Sequence, residues 1–338
     1  MDRSNDFRIE WMDALRGVAA LLVLVHHYFC LTCQGPLAGF FDLGVIGVVA
    51  FFCISGYVIP WSVLRAPTTV KKFVLARAFR LYPAYWLSLA IACAVTPVTA
   101  HVLLANVTMA QRFVGMPDVV GVYWTLQVEL MFYALIAILI AFGKIYRPKV
   151  IGWTLAGACV LALTVSLPRA LLDMKSPVAP VFGLVVMLTS FAFYLHKNGG
   201  FLTTGQMRHV VLGVFALLCG CFFLAYAKDW GYRETPLRFV ISYAIGALIF
   251  SGFMKFNVSS SVLRWLGGIS YPLYLIHVPV REAVSRAIPN ELLAGMVSLL
   301  AVLLLSDVIH RTVELPAVKA GKAIASRLLP GSQYPASA

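Results

Sequence analysis

The sequence predicts an all-α fold, a polytopic bundle of about ten transmembrane helices with both termini cytoplasmic. Three observations predict it. Of 338 residues, 61% are hydrophobic and 12% charged, whereas soluble domains carry about 25% charged residues. The apolar residues fall in ten runs of about 20, the length that crosses a bilayer core as a helix. With the N-terminus inside, 18 of the 27 lysines and arginines fall on the cytoplasmic side and 8 outside, the asymmetry of the positive-inside rule. The remaining one, Arg16, lies within a helix. Continuous apolar runs exclude a β-barrel, which needs period-two alternation. The inner loops account for the net charge of +13, so no nucleic-acid partner is expected.

The segments follow in order. The first, 12–31, has a charged start but no small-x-small cleavage site, because Tyr28-Phe-Cys-Leu-Thr stands in its place. It is expected to be a retained span rather than a signal peptide. The second, 43–64, contains Ser55-Gly56, a small pair that permits close helix approach. The third, 76–96, opens on arginines and contains Pro83, and the fourth, 120–142, carries a polar stripe. Apolar spans follow at 150–167, 178–195, 210–227 and 237–254. The ninth, 264–284, opens on Arg264 and contains Pro272; the tenth is 291–311. One membrane domain over 8–318 and a short cytoplasmic tail over 319–338 are expected. Seven cysteines lie in or beside these segments and read as small buried thiols. Cys30 and Cys33 also have the spacing for a disulfide in an oxidising compartment. No second Cys/His pair has zinc-ligand spacing, so no metal is expected.

Ionisable residues inside spans are costly and mark candidate sites. Arg16 and His27 are eleven residues apart, roughly 1,100° of helix, so they share a face about 16 Å apart along the axis. A histidine suits general-base chemistry near neutral pH, and equally serves as a helix–helix hydrogen-bonding group. Thr125, Glu129 and Tyr133 form an i, i+4, i+8 stripe beginning beside Trp124. From its depth, Glu129 is expected near His27, either orienting the imidazole or forming a structural ion pair. Arg77 and Arg80, spaced i, i+3, can bind phosphates or anchor to lipid headgroups. Ser270, Tyr271, Tyr274 and His277 line a cavity or bond neighbouring helices.

In register, these residues resemble the acyltransferase-3 family of integral membrane acyltransferases. The resemblance rests on Arg16 with His27, Phe51-Phe-Cys-Ile-Ser-Gly-Tyr57, and Arg77-x-x-Arg80-Leu-Tyr-Pro83. It continues through Trp124-Thr-Leu-x-x-Glu129-x-x-x-Tyr133, Gly268-Ile-Ser-Tyr-x-x-Tyr-x-x-His277 and Glu314-Leu-Pro316, covering about 8–318. Thr125 stands where the family usually has serine, and Cys53 interrupts an aliphatic position. The chain is expected to lack the extra C-terminal extracytoplasmic domain of some members.

The resemblance implies transfer of an acyl group, usually acetyl from acetyl-CoA, to a hydroxyl of an extracytoplasmic or membrane-associated acceptor, at a bacterial cytoplasmic membrane. Acceptors of similar proteins include lipopolysaccharide, exopolysaccharide, peptidoglycan, nodulation factors and macrolides. It also marks Arg16, His27, Arg77 and Arg80 as functionally important. Joined to the residue reading, Arg77 and Arg80 would hold the phosphates of cytoplasmic acyl-CoA, and Arg16 its pyrophosphate or pantetheine. His27 would act as base or transient acyl carrier, oriented by Glu129. Trp124, Tyr133, Tyr274 and His277 would contact a carbohydrate or lipid-linked acceptor, whose specificity is expected in loops 97–119 and 228–236. The rival class is a transporter or flippase that uses Arg16, His27 and Glu129 as an ion or substrate path.

Overall fold

The computed structural model describes residues 9–29, 39–65, 68–199, 201–229 and 234–328. Cys30 and Cys33 lie outside the described residues. A helix forms at each of the ten expected positions. These begin with α1 (Glu10–Phe29), α2 (Leu43–Leu64) and α3 (Val70–Val95). A short α4 (Ala100–Val107) precedes α5 (Trp124–Ala141), then α6 (Pro148–Leu171), α7 (Val178–Gly199), α8 (Thr204–Ala225) and α9 (Pro236–Phe256). The chain continues through α10 (Ser261–Ala287), α11 (Glu291–Ile309) and α12 (Leu315–Leu328). Among the described residues, nine helices are long and apolar enough to cross a membrane.

Local chemistry sets the boundaries. Asp42, Thr69, Ser260 and Asn290 each cap a helix by accepting a backbone N–H three residues on. Thr203 and Gln206 form a reciprocal capping box at α8. Helices α6 and α9 open on proline, whose missing N–H is an orphan there in any case.

The ninth expected span, α10, is not among those nine, since glycines, tyrosines, Pro272, Pro279 and His277 lower the hydropathy of its middle, and it carries Arg264, Arg281, Glu282 and Arg286. These four charged residues lie towards its two ends. Arg264 pairs with Glu10, and Glu282 accepts from the Thr96 hydroxyl at 3.0 Å. The middle of α10 is buried from Ile269 to His277, against α1, α3 and α11. Around this centre α2 packs on α1, α7 and α9, while α6 and α8 complete the outer layer.

Close packing at the centre depends on missing side chains. A Cβ on Gly267 would land inside the van der Waals shell of the Asp13 carbonyl oxygen, and one on Gly17 would meet Leu263 backbone. Gly56 is pressed the same way against the Met187 backbone of α7, so it serves the close helix approach that its size permits. Gly267→Ala is therefore expected to lose about 3 kcal/mol or fail to assemble. Gly252→Ala, in open space, should be neutral or gain up to about 1 kcal/mol. Thermal unfolding of both variants in detergent checks the pair, and equal midpoints would contradict it.

Between α11 and α12 the chain makes a π-turn, His310–Glu314. Pro316 has no N–H and would crowd the carbonyl four residues back, so a regular α-turn is disfavoured here. The wider turn lets the Leu315 N–H bond the His310 carbonyl. Beyond it α12 packs on α3. The boundary expected at 318 thus falls inside a helix that runs on to Leu328.

Candidate active site

Residues of five helices line one partly open cavity. Helix α1 contributes Arg16, α2 Phe51 and Ser55, and α3 Arg77 and Arg80. Helix α5 contributes Thr125, Glu129 and Tyr133, and α10 contributes Ser270, Tyr271 and Tyr274. Three guanidiniums from two helices therefore converge on one space, as their separate sequence motifs did not reveal. Among the described residues, Arg16 has no carboxylate within ion-pair distance. Arg77 lies over the rings of Phe73 and Tyr133, at 5.6 and 5.7 Å.

Arg80 is held more firmly. It pairs with Glu314 and lies 5.3 Å from the Tyr271 ring centroid. Glu314 is 2% exposed, and His310 Nδ1 bonds its other oxygen at 2.7 Å. The π-turn brings His310 and Glu314 to this carboxylate bridge. Neither was assigned to the site from sequence; the Glu314-Leu-Pro316 motif was the available signal. Glu314→Ala would leave a guanidinium without its partner, at an expected cost of about 3 kcal/mol. Chemical unfolding in detergent measures this, and a variant as stable as the parent would remove Glu314 from the support of Arg80.

Glu129 belongs to this arginine-lined end. It accepts a hydrogen bond from Tyr133 and lines the cavity with Arg16, Arg77 and Arg80. The groups bonded to His27 are different. Its Nδ1 lies 2.9 Å from the Val23 carbonyl oxygen and 3.4 Å from Nε2 of His277. Glu129, expected from the sequence to orient His27, is not among the groups bonded to it; the Val23 carbonyl and His277 are.

The face of α10 joins the two ends. Tyr271 sits by Arg80, Tyr274 bonds the Thr125 hydroxyl at 2.9 Å, and His277 meets His27 with ring centroids 4.9 Å apart. From Tyr271 to His277 is about 9 Å along the helix. Trp124 does not line the cavity but packs edge-on, 6.3 Å away, against Phe52, which does. His27 is exposed at the end of α1, whereas His277 is fully buried.

A second ionic cluster braces this end. Asp42 pairs with Arg238 at 2.5 Å and with His26 at 3.3 Å, tying α1 to the starts of α2 and α9. Asp42 and Arg238 are both buried. Their pairing joins residues 196 apart in sequence, so the local signal stopped at an N-cap aspartate. The loop expected to govern specificity over 97–119 is ordered around Asn106, which bonds Val102, Pro117 and Val119.

A family model described as an acyltransferase domain matches residues 9–311. The chain belongs to the acyltransferase-3 family. It is an integral membrane acyltransferase, and the cavity and His27 both fall within the matched region. The exopolysaccharide production protein ExoZ of Rhizobium meliloti is 26% identical over 73% of this chain and 80% of that protein. An O-acetyl transferase of Shigella phage Sf6 is 24% identical over 93% of the chain and 96% of its own length. The peptidoglycan O-acetyltransferase OatA of Listeria monocytogenes is 23% identical over 92% of the chain, which spans 56% of that larger acyltransferase. No solved structure matches the chain.

Proposed function

We infer that the chain transfers an acyl group, acetyl in the first instance, from acyl-CoA to a hydroxyl of a carbohydrate acceptor at a bacterial cytoplasmic membrane. The observation that carries this reading is that α10 places Tyr271 and Tyr274 in the cavity with three guanidiniums and His277 against the exposed His27. Family membership supplies the acyl group, and the O-acetyltransferase and exopolysaccharide relatives support the oxygen nucleophile and the carbohydrate.

Arg16, Arg77 and Arg80 hold the anionic phosphates of the donor. The positive-inside bias favours entry from the cytoplasm. His27 Nε2 takes the proton of the acceptor hydroxyl as its oxygen attacks the thioester carbonyl carbon. The carbon–sulfur bond breaks, and His27 returns the proton to the CoA thiolate, so no net proton is released. Thr125 and Tyr274 line the same cavity, and Glu129 with Tyr133 fixes its arginine-lined floor.

The test uses the purified protein in nanodiscs with radiolabelled acetyl-CoA and candidate glycans. Acceptor-dependent release of CoA thiol together with alkali-labile label on the glycan is expected. Substrate movement across vesicles without CoA release would instead identify a transporter.

A further inference from the structure

We propose that His277 is the positioning residue of the base, its bare Nε2 accepting a hydrogen bond from the Nδ1–H of His27 and so fixing the tautomer that presents His27 Nε2 to the acceptor. This rests on the assignment of His27 as base.

Two backbone carbonyls decide the tautomers. A carbonyl oxygen only accepts, so the ring nitrogen facing it carries the proton. Nδ1 of His27 faces the Val23 carbonyl at 2.9 Å, and Nδ1 of His277 faces the Tyr274 carbonyl at 2.7 Å. Each neutral ring is therefore left with a bare Nε2. That of His277 lies 3.4 Å from His27 Nδ1, so the His27 proton is shared between a carbonyl and an imidazole lone pair. The His27 Nε2 has no partner among the described residues.

His277 is built to stay in place. It is 0% exposed, and the Tyr274 and Tyr28 rings flank it at 5.8 and 6.3 Å. The Tyr28 hydroxyl donates to the His277 carbonyl at 2.8 Å. A side chain so enclosed has no surface for an acceptor, unlike the substrate-contacting role its motif suggested. When His27 Nε2 gains a proton, the charge spreads to its Nδ1–H, and the His277 lone pair stabilises that charge. A carboxylate does this in hydrolase triads. A neutral imidazole does it here, without adding a further buried charge to a membrane span.

The experiment measures kcat and both KM values in nanodiscs for the wild type, His277→Phe and His277→Gln. Phenylalanine keeps the ring volume without an acceptor, while glutamine keeps an acceptor oxygen near the Nε2 position. His277→Phe is expected to lower kcat about 100-fold with KM values essentially unchanged, and His277→Gln to recover most of the loss. Full kcat in His277→Phe, or a raised acceptor KM at full kcat, overturns the proposal. Nitrogen-15 histidine spectra of the wild-type protein decide it independently of how the variants fold. Both rings should be Nδ1–H tautomers, and an Nε2–H His27 would overturn the assignment. Should His27→Ala retain transfer, the base itself is misassigned; should His27→Ala be inactive and His277→Phe active, only the positioning role fails.

Discussion

Replacing His27 by alanine is expected to lower acyl transfer by about 10²- to 10⁴-fold while leaving the protein folded and inserted, the range that removal of a general base produces. The loss should fall on kcat, with the KM values for donor and acceptor little changed, because the imidazole acts on a proton in flight rather than on the bound ground state. Folding should survive because His27 is exposed and one of its nitrogens bonds a carbonyl of its own helix. The helix keeps its anchorage through Gly17, the buried Tyr28 and the His26–Asp42–Arg238 cluster. Initial rates of CoA thiol release, with the variant checked for monodispersity, measure the effect. Activity within twofold of wild type would dismiss His27 from the chemistry.

The second large effect is expected at Arg16. Arg16→Gln should raise the KM for acyl-CoA by about 10- to 100-fold, as removal of one charge-assisted hydrogen bond would, with acceptor KM unchanged. Arg16 is the cleanest probe of the three guanidiniums. Arg80 is bound into Glu314 and Tyr271, so its removal disturbs the fold as well as the ligand. Arg16 has no ion pair among the described residues, and its neutral replacement leaves no carboxylate stranded. Stability should therefore hold or improve, since an unpaired charge in a membrane span is costly. Equilibrium binding of CoA, compared with thermal unfolding, separates the two effects. Unchanged CoA affinity would remove Arg16 from the donor site.

These residues also mark how far a sequence reading reaches. The spans were legible because a run of about 20 apolar residues has few alternatives to a membrane helix. Arg16 and His27 were legible as a pair because both lie on one helix, where spacing alone fixes geometry. Pairs across helices were not. Glu129 and His27 were matched by depth, but depth counted from segment ends ignores how helices tilt and slide. The close approach at Gly17 and Gly267 draws α10 against α1 and seats His277, not Glu129, beside His27. Arg80 and Glu314 meet only because a π-turn before Pro316 re-aims the carboxylate, a local geometry that hydropathy does not encode. The buried Asp42–Arg238 pair likewise depends on where α9 begins relative to α2.

The central claim is that this chain places acyl groups on hydroxyls of a carbohydrate through His27. Its most direct test is the O-acyl content of surface glycans, by NMR and mass spectrometry, from cells carrying the wild type or an equally abundant, membrane-inserted His27→Ala variant. O-acyl groups present with the wild type and missing with the variant are the predicted result. Identical glycans from both would contradict it.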